Sequence, residues 1–392
     1  MQYRTFGTLD WKPSALGFGA MRLPTKDQNR MNDLSSNVDE DLAIPMICAA
    51  IDGGVNYVDT AYDYHGGNSE RILGRCLANG YRDQIKLATK LPSWAIQGQE
   101  DCERILNDQL ERLRTDHIDF YLFHALNQRN WTNIQEHGAL EWAQAALTDG
   151  RIRHLGFSFH DNLDLFQEIL AAHDWTFCQI QYNYMDVEHQ AGTAGLQYAA
   201  SKGLGVVVME PLRGGALTRP APEPVSKHWA DTPVERTPAD WGLQWVWNQP
   251  EVSLVLSGMS SMRQVEENLE SADRSGVGTL SSEELDTIDR VREAYQQLIP
   301  IPCTDCRYCM PCPNGVAIPH TFQLYNEAVM FNDHERSQWF YLNHTPAECR
   351  ADQCVGCGQC EAACPQKIEI IEGLKTAHAF LAAEAPTSSP NA

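Results

Sequence analysis

The chain has no run of about 18 uncharged apolar residues, so no segment is expected to cross a membrane as a helix. It is poor in basic residues, with 30 Lys and Arg against 52 Asp and Glu and a formal charge of −22. A field of that sign repels nucleic acid and anionic membranes. Residues Met1 to Asp10 contain no apolar signal segment, so a cytoplasmic protein is expected, where disulfides rarely persist. No Gly-x-Gly-x-x-Gly follows an apolar run, which speaks against a doubly wound dinucleotide-binding sheet. What is present is 392 residues of ordinary apolar content, enough for a large core and two domains. The surplus acid keeps such a chain soluble; an acidic face that docks a basic redox partner is the sharper reading.

Cysteine is the residue in unusual supply. Eight of the 13 fall in two runs, Cys303-x2-Cys306-x2-Cys309-x2-Cys312-Pro313 and Cys354-x2-Cys357-x2-Cys360-x3-Cys364-Pro365. The second has the bacterial ferredoxin spacing, in which three cysteines hold one cluster and the fourth reaches across to the other. The first is one residue shorter before its last cysteine. Two such runs suit two [4Fe–4S] clusters. Zinc ribbons need only four ligands, and disulfides need an oxidising compartment. Cys48, Cys76, Cys102 and Cys178 read as buried apolar thiols, and Cys349 as a bystander near the second run.

Upstream, eight short apolar runs alternate with amphipathic stretches: Ala15–Ala20, Val55–Asp59, Ile85–Thr89, Ile118–Phe123, His154–Phe157, Phe177–Gln181, Gly205–Met209 and Ser253–Leu256. Several are nearly all apolar, as parallel strands covered on both faces must be. Between them, Glu103–Leu113 places Ile105, Leu106, Leu110 and Leu113 on one side, with Glu103, Asn107 and Glu111 opposite. The expected fold is α/β: a (β/α)8 TIM barrel over residues 1–298, then a small, mostly helical ferredoxin-like iron–sulfur domain over 299–376 and a tail over 377–392. Ser281 and Glu284 predict the start of a helix ending near Leu298, and Ala385–Ala392 is expected to be disordered.

Ionisable groups stand where these runs end. Asp59 closes the second, with Tyr62 and Tyr64 just beyond; Lys90 follows the third and His124 the fourth. In a barrel all converge on one rim. Tyr has an ordinary pKa of about 10, a neighbouring ammonium lowers it, and a carboxylate keeps the ammonium charged. A His can orient a carbonyl by a hydrogen bond. Tyr62 competes with Tyr64 for the acid role.

These motifs carry a resemblance. Leu16-Gly17-Phe18-Gly19-Ala20-Met21-Arg22, Gly54-Val55-Asn56-Tyr57-Val58-Asp59-Thr60-Ala61-x-x-Tyr64, Lys90 and Asp119-Phe120-Tyr121-Leu122-Phe123-His124 resemble the aldo-keto reductase family over residues 1–298. The cysteine tail resembles a branch with a ferredoxin-like extension. The resemblance implies a catalytic tetrad of Asp59, Tyr64, Lys90 and His124. It also implies NADP or NAD held by Gly19, Ala20 and Met21, by Ser158 and Gln179 on the carboxamide, and by Met209, Pro211 and Leu212. Gly258, Ser260, Gln264 and Asn268 would hold the adenosine phosphates. Met209 stands where many members have an aromatic residue, and Gly258 where many have Lys; Arg263 is nearby. His160 reads as a solvent-facing loop residue. Substrate loops are Thr25–Glu40, Ser93–Gln99, Arg129–His137 and Arg219–Pro238, with Trp94, Trp131 and Trp229 in three of them.

The expected function is therefore an NAD(P)H-dependent interconversion of a carbonyl and an alcohol in a small substrate, with the clusters structural or serving a redox protein partner. The alternative is an electron-transfer module docking a ferredoxin-like partner, with the barrel as a scaffold or holding a flavin.

Overall fold

The computed structural model describes residues 1–26, 37–78 and 80–383. The centre of the Thr25–Glu40 loop and the Ala385–Ala392 tail lie outside the described residues. Eight parallel strands close a barrel in sequential order. They are β1 (Leu16–Gly19), β2 (Tyr57–Asp59), β3 (Lys86–Pro92), β4 (Ile118–Leu126), β5 (Ile152–Phe159), β6 (Phe177–Gln181), β7 (Gly205–Met209) and β8 (Leu254–Ser257). Each overlaps one of the eight apolar runs. β1 closes the ring on β8 with Leu16 opposite Val255 and Phe18 opposite Ser257.

The helices are, in chain order, α1 (Glu40–Asp52), α2 (Asn68–Cys76), α3 (Gln99–Leu113), α4 (Gln128–Glu136), α5 (Ala139–Thr148), α6 (Leu163–Ala172), α7 (Gly192–Ser201), α8 (Glu223–Ala230), α9 (Pro238–Trp247), α10 (Met262–Asp273), α11 (Ser282–Gln297), α12 (Ile318–Met330), α13 (His334–His344), α14 (Gln359–Ala363) and α15 (Ile370–Leu381). The chain divides into two compact units, residues 1–214 with 236–281 and residues 215–235 with 282–392. The first contains the barrel. The second gathers α8, α11 and the cysteine-bearing segment.

The base of the barrel is filled by side chains rather than left as a pore. Phe6, Tyr57, Phe120, Phe177, Val207 and Leu254 form one buried cluster. Phe6 enters from the N-terminal segment, its ring centroid 5.1 Å from that of Phe120. It fits because β7 begins with Gly205, where a Cβ would stand 2.3 Å from the Phe6 ring. Of the scattered cysteines, Cys76, Cys102 and Cys178 are buried as expected, while Cys48 is half-buried with its Sγ 3.5 Å from that of Cys76.

The second unit has its own core of Ile301, Val316, Ile318, Phe322, Ile370 and Leu374. A second cluster of Leu324, Ala328, Tyr341 and Leu381 joins α12, α13 and α15. Among the described residues no helix is long and apolar enough to cross a membrane.

Candidate active site and cysteine centre

Asp59, Tyr64, Lys90 and His124 meet at the C-terminal end of the barrel. Lys90 and His124 are not the last residues of their strands, as the apolar runs suggested, because β3 and β4 continue to Pro92 and Leu126. Lys90 is buried and donates to Asp59 Oδ1 at 2.5 Å, to the Thr60 carbonyl at 2.6 Å and to the Tyr64 hydroxyl at 3.3 Å. All three ammonium donors are thus used. The Tyr64 and His124 rings stand edge to face with centroids 5.8 Å apart.

The electrostatics follow from burial. Desolvation alone would depress Lys90, but Asp59 and Tyr64 outweigh it and hold the ammonium above its ordinary value. Burial lifts Tyr64 above the ordinary phenol value against the pull of Lys90, so the hydroxyl is a protonated phenol at neutral pH. Burial, then Lys90 and His160, hold His124 well below the ordinary imidazole value, so it is neutral. Its Nδ1 is buried without a hydrogen-bond partner, 3.7 Å from Asp63 Oδ1.

Local backbone aims these groups. After Tyr64, His65, Gly66 and Gly67 are all left-handed, with φ of 53°, 62° and 85°. Gly67 caps the start of α2 there, and a Cβ on it would lie 3.1 Å from Arg112 Nη1. After His124, Ala125 is left-handed with φ 55°, and the register of β4 against β5 shifts between Phe123 and Leu126. Such irregularities re-aim side chains at barrel rims. Tyr62 points elsewhere: its hydroxyl donates to Asp108 at 3.1 Å and its ring carries the Arg112 guanidinium at 4.1 Å.

The residues expected to hold a coenzyme lie on the same rim. Gly19 ends β1, and Ala20 N donates to the Asp59 carbonyl at 2.8 Å just before Met21. Ser158 is buried on β5, where its Oγ accepts from Ala125 N at 2.8 Å and keeps its own proton to donate. Gln179 is buried on β6 and donates to Asp59 Oδ2 at 3.4 Å, while its Oε1 has no partner. A buried amide oxygen left open in this way fits a carboxamide N–H donor. Met209 ends β7, followed by Pro211 and Leu212. Ser260 N donates to Gln264 Oε1 at 2.7 Å and Asn268 donates to Ser257 Oγ at 2.9 Å. A Cβ on Gly258 would lie 3.3 Å from Arg22 Cβ, so the arginine stem covers the position where Lys is common in the resembling family.

One expectation changes, and burial sorts the loop tryptophans. His160 is half-buried, not solvent-facing: its N donates to the Leu126 carbonyl at 2.9 Å, and burial lowers its pKa. Trp131 is wholly buried on α4, donating to Glu168 at 3.1 Å, so it lines no pocket. Trp94 is the Trp of the barrel loops that stays 44% exposed, its ring 5.1 Å from that of His124.

Sequence reasoning passed over a buried group behind the tetrad, Glu70 with Thr89, Gln109 and Arg112. One signal was available. Gln109 is a polar residue inside the apolar stripe of Ile105, Leu106 and Leu113 on α3.

In the second unit Cys303, Cys306, Cys309 and Cys364 line one recess, floored by Ile318, Phe322 and Ile370. This is three thiols of the first run and the last of the second. Cys312, Cys354 and Cys360 pack against the same apolar core. The two runs share a backbone pattern. Left-handed residues fall two after Cys303 and Cys354 (Asp305, φ 52°; Gly356, φ 68°) and one after Cys306 and Cys357 (Arg307, φ 61°; Gly358, φ 75°). Among the described residues no three His, Cys, Asp or Glu side chains are grouped tightly enough for a single metal ion. A recess with four thiols around its wall instead fits a bulkier polynuclear cluster.

Comparison with known proteins agrees with this fold. Residues 15–293 match the aldo/keto reductase family model. The chain belongs to the aldo/keto reductase family. Residues 302–369, C-terminal in sequence to the barrel, match the model of a 4Fe-4S dicluster domain. L-galactose dehydrogenase of Arabidopsis thaliana is 27% identical over 76% of this chain and 96% of its own. NADH-specific methylglyoxal reductase of Escherichia coli (strain K12) is 25% identical over 60% of this chain and 84% of its own. Among solved structures, the holo form of the aldo-keto reductase AKR11C1 from Bacillus halodurans superposes with a TM-score of 0.62. It is 26% identical, over 74% of this chain and 96% of that one.

Proposed function

We propose that this aldo/keto reductase interconverts a carbonyl and an alcohol with NADH or NADPH, and that its C-terminal domain carries two [4Fe–4S] clusters. The observation that carries the reading is the buried Tyr64 hydroxyl, a protonated phenol 3.3 Å from the Lys90 ammonium. A bound nicotinamide coenzyme supplies the hydride. Ser158 and Gln179 bind its carboxamide, the donor and the open acceptor on adjacent strands. Neutral His124 and Tyr64 hydrogen-bond the substrate oxygen. As the carbonyl carbon is reduced, Tyr64 gives its hydroxyl proton to that oxygen, and Lys90 stabilises the phenolate left behind. Asp59 keeps Lys90 charged and fixed.

Cys303, Cys306, Cys309 and Cys364 would hold one cluster, and Cys354, Cys357, Cys360 and Cys312 the other. Clusters supply one-electron chemistry, and no hydride step needs them. Relatives named for sugar and oxoaldehyde substrates make small neutral carbonyls the first compounds to assay.

The test is Tyr64→Phe in the full-length, anaerobically purified protein. Carbonyl reduction should fall by about 10²–10⁴-fold, the usual worth of a positioned proton donor. Cluster absorbance and coenzyme quenching should be unchanged. A variant that keeps wild-type reduction would sink the reading in favour of an electron-transfer protein with a scaffolding barrel.

A further inference from the structure

The proton donor and its lysine lie on different parts of the chain, and their 3.3 Å approach has to be held from behind. The buried Glu70 stands where such a support is needed. It is the third residue of α2, immediately beyond the left-handed turn that follows Tyr64, and none of its surface is exposed. Both carboxylate oxygens are used. Oε1 accepts from Thr89 Oγ1 at 2.7 Å and from Gln109 Nε2 at 3.0 Å. Oε2 accepts from Arg112 Nη1 at 3.1 Å.

Each donor passes the connection on to the backbone that carries the tetrad. Thr89 is the residue before Lys90 on β3. Gln109 Nε2 also donates to the Lys90 carbonyl at 3.0 Å, and its Oε1 accepts from Tyr121 of β4 at 2.7 Å. Arg112 Nη1 donates to the Tyr62 carbonyl at 3.1 Å, two residues before Tyr64. One carboxylate thus grips the chain on both sides of Tyr64 and, through Thr89 and Gln109, the peptide of Lys90.

A buried carboxylate without those donors would be expelled or protonated, since unpaired charge in low dielectric is costly. The set therefore forms as a whole or not at all, which is what a rigid spacer requires. Displacement of a catalytic group by about 1 Å costs on the order of 10²-fold in rate. We infer that Glu70 is a positioning residue: with Thr89, Gln109 and Arg112 it sets the distance between the Tyr64 hydroxyl and the Lys90 ammonium.

The inference rests on the reading of Tyr64 as proton donor, and the experiment separates the two. Glu70→Gln removes the charge facing Arg112 and keeps the side chain's size. Thr89→Val removes one donor by an isosteric change and serves if Glu70→Gln folds poorly. With methylglyoxal as the probe, both variants should lose at least tenfold in kcat with KM within about twofold, because the substrate contacts are untouched. The basic limb of the pH–rate profile should move upward, since Tyr64 drifts from the cation that lowers its pKa. Coenzyme affinity should be unchanged. Folded variants with wild-type kcat and an unmoved basic limb overturn the inference; so does a loss of kcat that only tracks the loss of folded protein. If Tyr64→Phe is itself active, the proposed function has failed; if it is inactive while both variants are normal, only the role of Glu70 has failed.

Discussion

Tyr64 is a phenol held protonated by burial beside a buried ammonium, and this fixes the sign of two pH effects. In the proposed reaction reduction needs the protonated form, so its rate should stay level through the neutral range and fall only above the ordinary phenol value of about 10. Alcohol oxidation needs the phenolate and should rise toward high pH. Lys90→Met removes the cation that opposes burial, so the oxidation limb should move further up as the rate drops by about 10²-fold or more. His124 is held neutral well below its ordinary value, so kcat/KM for reduction should show no limb near pH 6.5. A limb there, abolished by His124→Asn, would contradict that assignment. The residues that meet on this rim were legible in the sequence as ionisable side chains just past, or near the end of, apolar runs, although Tyr62 stood beside Tyr64 on the same ground. Glu70 was not, since nothing near it in sequence says that Thr89, Gln109 and Arg112 come from other elements to meet it.

At the scale of elements, β3 and β4 are tied by Asp119, a buried carboxylate inside an apolar strand. It accepts from Leu87 N at 3.0 Å and from Lys86 Nζ at 3.0 Å, and pairs with Arg82 at 2.8 Å. Burial raises its pKa, but the Leu87 N–H and the two cations outweigh burial and leave it depressed. A depressed carboxylate stabilises the fold above its unfolded pKa of about 3.9, and that contribution is lost as pH falls through the folded value. Asp119→Asn should therefore cost about 1–3 kcal/mol at neutral pH, by denaturant melts, with the gap to wild type closing in acid. Gly205→Ala tests the base of the barrel. The added carbon meets the Phe6 ring at 2.3 Å, so a loss of about 1–3 kcal/mol is expected without loss of the rim chemistry. The eight strands were readable from their apolar runs. The Arg129–His137 loop was not read as helix α4 because Gln, Asn and Thr mark loops as often as amphipathic turns.

At the scale of the whole molecule, the proposed hydride transfer needs no cluster, so the ligation of the cluster domain is tested on its own. The recess formed by three thiols of the first run and Cys364 predicts interlocked ligation. Full-length protein purified anaerobically should contain about eight irons. Cys364→Ala should lose one cluster and Cys312→Ala the other, each leaving about four irons by metal and sulfide analysis. If Cys364→Ala instead loses both clusters at once, the domain folds only around the full set. Carbonyl reduction measured on the same samples then tells whether the clusters serve the barrel.

Spacing alone determined the two cysteine runs, the eight parallel strands and the order of the ionisable groups along them. Those features are local: a strand's periodicity and a cluster's ligand intervals are written within a few residues of one another. Tertiary structure decided which hydroxyl faces Lys90, because Tyr62 and Tyr64 differ only in the turn of backbone between them. It also decided that Glu70 stands behind them both and that Cys364 closes the recess of the first run. Contacts made across many residues depend on packing that no single segment encodes.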